Sequence, residues 1–112
     1  MIRSGNLFAN FATSFPEERF DTILSRPGLR IERIVSTGHA SPPDFWYDQP
    51  QDEWVCMISG GAVLKIEGEA EPRIMQAGDW LEIPAHVRHR VEQTDAAQPT
   101  VWLAVHIDAA LR

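Results

Sequence analysis

"GDWLEIPAHVRHRV", residues 78–91, runs from a glycine–aspartate turn through a short apolar-flanked strand to Pro84, then presents His86 and His89. Two histidines three apart after a proline turn suit a metal site, and they suit equally the polar mouth of a binding pocket. The neighbouring residues set the phase. If His89 points to one face of a strand, so does Val91, while Arg88, Arg90 and Glu92 take the other. The same alternation at 53–57 puts Glu53 on the face of Val55 and Met57. A carboxylate and an imidazole thus each share a face with apolar side chains, which places both inside a β structure.

Working outward, the period of two recurs. "LRIERIV" (29–35) interleaves Leu29, Ile31 and the Ile34–Val35 pair with charged residues. "EWVCMISG" (53–60) ends in Gly60–Gly61, a hairpin signal, and "AVLKIEG" (62–68) returns. "EPRIMQ", the turn "AGD", "WLEIP", "RHRVEQT" and "TVWLAVHI" (100–107) follow. Six or seven short strands divided by turn residues predict an antiparallel sandwich or barrel. One helix is expected before them. In "SFPEERFDTILSRPG", Ser14 is placed to cap, Pro16 and Glu17–Glu18 suit a first turn, and Phe20, Ile23 and Leu24 make one apolar face that Pro27–Gly28 ends. The segment "TGHASPPDFWYDQPQD" (37–52) is too long for a hairpin loop, and loops of that length tend to be functional.

Composition bounds the partners. The chain has 112 residues, 44% of them hydrophobic and 23% charged, as in a single globular domain. A net charge of −6 with no basic cluster argues against nucleic acid. The apolar runs "WVCMI" and "VWLAV" are too short to cross a bilayer, and the first residues lack a continuous apolar signal core. The single cysteine, Cys56, lies in a strand-like run and reads as a small buried hydrophobe. A cytoplasmic protein with no membrane partner is the expectation.

The strand order and two spacings resemble the cupin superfamily, in particular its small single-domain bacterial members. The second cupin motif, G-x5-P-x-G-x2-H-x3-N, is matched by Gly78, Pro84 and His89, with His86 at the second glycine and Gln93 at the asparagine. The first, G-x5-H-x-H-x(3,4)-E-x6-G, is met in its second half by Glu53 and Gly60. Its two histidine positions fall on Trp46 and Asp48, or on Tyr47 and Gln49 with the shorter spacer. The resemblance implies a jelly-roll-like cupin barrel over 29–107, preceded by an arm and short helix (1–28) and followed by a tail (108–112).

It also implies a divalent metal inside the barrel, because cupin motif histidines and glutamate usually bind one. Here Glu53 and His89 are the ligand candidates, joined by Asp48 and, if the Pro84 turn folds it back, His86. One histidine with two carboxylates favours iron(II) or manganese over a closed zinc site, with nickel and zinc left open. The competing reading is a buried, hydrogen-bonded Glu53–His89 pair with no ion. Trp46, Tyr47, Gln49, Met57, Val91 and His106 are the candidate pocket residues, and His39 is structural or pocket-lining. Of four tryptophans, Trp54 should face outward because it neighbours Glu53, which suggests burial by the N-terminal segment or by a second copy in a homodimer. Two functions remain open at this point: a metal-dependent cupin acting on a small molecule, and a metal-free barrel that binds or senses one.

Overall fold

The computed structural model describes residues 1–10 and 16–112. Eight strands follow in order: β1 (Arg19–Arg26), β2 (Leu29–Ser36), β3 (Asp52–Ser59), β4 (Gly61–Ile66), β5 (Arg73–Gln76), β6 (Trp80–Ile83), β7 (His89–Thr94) and β8 (Thr100–Ile107). A 3₁₀ turn at Ala109–Leu111 closes the chain. Every pairing is antiparallel. One sheet has five strands in the order β1-β2-β8-β3-β6, the other three in the order β5-β4-β7. The inner faces meet over Val55, Met57, Leu64, Met75, Ile83, Trp102 and Ala104, so the expected antiparallel, jelly-roll-like barrel is what forms. Each fully buried large apolar side chain contributes ~1.5–3 kcal/mol. No helix among the described residues is long and apolar enough to cross a membrane.

The expected N-terminal helix is a strand instead. Residues 19–26 form β1, paired to β2 across the Pro27–Gly28 turn, with Gly28 at φ 81°. The reason is a bulge between Thr22 and Leu24. A bulge adds one residue to the period of two, so Phe20, Ile23 and Leu24 imitate the i, i+3, i+4 face of a helix. The proline–glycine pair that would stop a helix serves as well for a two-residue turn. The cap assigned to Ser14 lies outside the described residues.

The glycine pair at 60–61 closes no hairpin either. β3 belongs to the five-stranded sheet and β4 to the other, so the turn carries the chain across the barrel edge. Gly60 sits at φ 85°, and a Cβ there would collide with the Thr100 hydroxyl. Glycine is required for both reasons.

β2 turns two faces to two different environments. Ile31 and Arg33 face the N-terminal arm. Arg33 is buried, pairs with Asp21 Oδ2 at 2.6 Å, and donates to the carbonyls of Leu7 and Ala9. Arg30, Glu32 and Ile34 face the barrel interior. On the outer side of the five-stranded sheet Cys56 is half-buried, and Trp54 stacks on Trp80 with ring centroids 6.2 Å apart.

Candidate functional site

One end of the barrel holds a cavity of about 320 Å³. Register builds its polar floor. Across β3 and β8, Glu53 is the partner of His106; across β2 and β8, Arg30 is. Since paired residues on adjacent strands lie side by side on one face, His106 is flanked on both sides by charged groups. Its Nε2 lies 2.9 Å from Glu32 Oε1, and Arg30 Nε lies 3.5 Å from the other Glu32 oxygen. The His106 hydrogen bond is the main reason the Glu32 carboxyl is held below its ordinary range.

The second polar group is the pair foreseen from the motif. Glu53 and His89 are both buried, with His89 Nε2 3.5 Å from Glu53 Oε1. His89 Nδ1 lies 2.9 Å from the Val87 carbonyl, which fixes Nδ1 as a donor and turns Nε2 toward the carboxylate. Burial pushes the imidazole down in pKa, but the Glu53 carboxylate and the Val87 carbonyl outweigh it and raise the value. Gln49 Nε2 reaches the same Glu53 oxygen at 3.5 Å.

The long loop supplies the lid. Tyr47 exchanges backbone hydrogen bonds with His89, and Arg90 donates to the carbonyls of Ser41, Pro42 and Phe45. With the Ser41–Val91 bonds and the His86 amide on the Gln49 carbonyl, this pairing sets which loop residues enter the cavity. Tyr47 and Gln49 line it, so the shorter spacer of the first motif is the one that applies. Burial, reinforced by the carboxylates of Glu18, Glu53 and Glu32, pushes the Tyr47 phenol up to about 12. Tyr47 is therefore a neutral hydrogen-bonding group at ordinary pH.

Trp46 and Asp48 do not enter the cavity. Trp46 lies under the Arg88 and Arg90 guanidinium groups, 5.5 and 6.0 Å from the ring centroid. Asp48 and His86 pair with each other at 2.8 Å on the exposed surface, neither lining the cavity. His86 takes the left-handed conformation of the motif glycine it replaces, φ 63°, which directs its side chain away from the barrel. Met57 is fully buried in the core and does not reach the cavity, whereas Val91 and His106 line it. His39 accepts from the Thr37 amide and, through its carbonyl, from Thr94 Oγ1, a structural role within the loop.

These placements decide the fit to a metal. Among the described residues no three His, Cys, Asp or Glu side chains form a group able to hold an ion. Glu53 and His89 face each other, but the positions that would complete the set carry a phenol held neutral and an amide, and His106 is bonded to Glu32. A lone carboxylate and imidazole do not fit a resident divalent ion.

Arg30, Glu32, Trp102 and Glu18 also line the cavity, and no motif marks them in the sequence. On an alternating strand such as β2, charged positions ordinarily mark a solvent face. The Ile34–Val35 doublet was the available signal, since only one of two adjacent residues can share a face with Glu32.

Residues 33–106 match the family profile described as Cupin domain. The chain belongs to the cupin family. A Ralstonia eutropha JMP134 structure, whose name proposes mannose-6-phosphate isomerase activity, is 58% identical, with 96% of this cupin and 100% of that chain covered at a TM-score of 0.94. A Thermus thermophilus structure is similar in fold at 15% identity and TM-score 0.77, over 96% of this chain and 98% of that one. A cupin superfamily protein from Desulfitobacterium hafniense DCB-2 shares 13% identity and a TM-score of 0.71, over 88% of this chain and 84% of that one. No curated protein matches this cupin.

Proposed function

We propose that this cupin binds a small organic molecule in the cavity beside Glu53 and His89, without a resident metal ion. The observation that carries the reading is the inward pair Tyr47 and Gln49, at the positions where a metal-binding cupin has histidines. Apolar walls with a few convergent polar groups are the usual make-up of a ligand site, and about 320 Å³ is at the lower end of the usual range. The Glu53–His89 pair is the natural hydrogen-bonding anchor there. The isomerase named for the Ralstonia relative would require a place for a phosphate dianion. Three carboxylates line this cavity, and Arg30 is already engaged by Glu32, so a phosphomonoester is poorly accommodated.

Metal content measured by inductively coupled plasma mass spectrometry, on untagged protein and on His89→Ala, tests the proposal. Expected is substoichiometric metal in both, even after reloading with iron, manganese, nickel or zinc. Stoichiometric metal that disappears in His89→Ala would overturn it and restore the metal-dependent reading.

We also infer a homodimer through the outer face of the five-stranded sheet. Support comes from the Trp54–Trp80 stack beside the edge strand β6, with Trp80 left 60% exposed. Sedimentation velocity should give a dimer that Trp80→Glu converts to monomer. A wild-type chain that sediments as a monomer at micromolar concentration rejects this arrangement.

A further inference from the structure

We infer that the molecule held in the barrel is an organic cation, a protonated amine on an apolar body, whose charge is received by the Glu18 carboxylate. This rests on the reading that the cavity binds a small molecule. The charges facing the cavity are Glu18, Glu32 and Glu53 against one guanidinium, Arg30, and the two imidazoles of His89 and His106. Glu32 is matched by Arg30 and His106, and Glu53 by His89. Glu18 has no lysine or arginine partner among the described residues. It accepts a hydrogen bond from the Ser36 hydroxyl, whose oxygen in turn accepts from Trp102 Nε1 at 3.1 Å. Burial pushes the Glu18 carboxyl up, and neither Ser36 nor the nearby His39 imidazole brings it back. When Glu18 is ionised, the three carboxylates of the lining outnumber the Arg30 guanidinium and a protonated His89 by one.

His106 supplies an independent observation. The side chain is 4% exposed and lines the same cavity, yet its Nδ1 has no hydrogen-bond partner. Nε2 is taken up by Glu32, so Nδ1 is left as a buried ring nitrogen facing the cavity with nothing to bond. A buried polar nitrogen of this kind is costly unless a ligand satisfies it, and with the Nε2–H tautomer it is an acceptor to which an ammonium brings N–H donors. The walls fit the same partner. Phe20, Tyr47 and Trp102 line the cavity, and aromatic faces attract cations.

Three probes of like shape and different charge test this: benzylammonium, benzyl alcohol and benzoate, titrated at neutral pH into the isotopically labelled full chain and followed by the amide resonances of cavity residues. Expected is benzylammonium binding at least about tenfold tighter than benzyl alcohol, with benzoate not binding. Glu18→Gln should bring the ammonium-to-alcohol ratio near unity by weakening the ammonium at least about tenfold. The inference is overturned if benzoate or the alcohol binds as tightly as the ammonium, or if the preference survives Glu18→Gln. Should that variant fail to fold, the ranking of the three probes on the unaltered chain decides alone. If none of the three shifts a cavity resonance, the small-molecule reading itself falls and this inference with it. If the neutral or anionic probe binds without a preference for the cation, only this inference falls.

Discussion

Tyr47 lies parallel to His89, ring centroids 5.5 Å apart with 23° between the planes, while their backbones exchange two hydrogen bonds. That bridge, together with the Ser41–Val91 bonds and the His86 amide on the Gln49 carbonyl, registers the loop on β7 and puts Tyr47 and Gln49 inside. The substitution Tyr47→His with Gln49→His should therefore create a metal site from Glu53 and His89. We expect the double variant to take up one nickel or zinc ion per chain and to gain ~2.7 kcal/mol of stability at a hundredfold excess of ion over its dissociation constant. Thermal melts with and without ion, alongside metal analysis, check this. A double variant that stays metal-free would mean that the two residues do not share the Glu53 face.

The His89–Glu53 pair should leave a pH signature. The folded-state pKa of His89 is raised, so its stabilisation is complete below the unfolded value of about 6.5 and is lost as pH rises through the folded value. The difference in melting temperature between the wild type and His89→Gln should be largest in mild acid and shrink toward alkaline pH. A difference that is flat across that window, or that grows with pH, contradicts the ion pair.

Gly60→Ala should be among the most harmful single-methyl additions in the chain. The new Cβ would lie 2.6 Å from the Thr100 backbone as well as close to its hydroxyl, at a φ that side chains rarely adopt. Backbone cannot move aside as a flexible side chain does, so a loss of about 2–4 kcal/mol is expected in urea unfolding. A midpoint within error of wild type would show that the corner relaxes freely.

Arg33→Ala should release the N-terminal arm. The guanidinium joins Asp21 to two arm carbonyls, and its removal leaves those carbonyls without a charged partner and Asp21 with Arg19 alone. A loss of ~1–3 kcal/mol is expected, together with faster proteolytic clipping within the first ten residues. Unchanged clipping would place the arm's attachment elsewhere.

What the sequence revealed and what it hid have separate physical causes. β8 was readable to the residue because the apolar run Val101–Val105, flanked by turn residues, permits little else. Glu53 and His89 were readable because their strands alternate cleanly and a barrel has one inside. β1 was hidden by its bulge, which replaces a period of two with a helix-like spacing. The crossing at Gly60 was hidden because a glycine pair specifies backbone conformation but not which sheet the next strand joins. Glu32 was hidden because charge on an alternating strand normally marks solvent, and here it marks a cavity. The choice between Trp46–Asp48 and Tyr47–Gln49 turned on one residue of spacing, which only the contact with His89 resolves.

The position of β8 has a consequence for how the protein must be made. It is the central strand of the larger sheet, hydrogen-bonded to β2 on one side and β3 on the other, yet it is the last of the eight to leave the ribosome. Until residues 100–107 emerge, β2 and β3 each carry an open edge of unpaired backbone, the kind of edge that recruits other chains. A fragment that stops before Thr100 is therefore expected to aggregate in place of forming a smaller barrel.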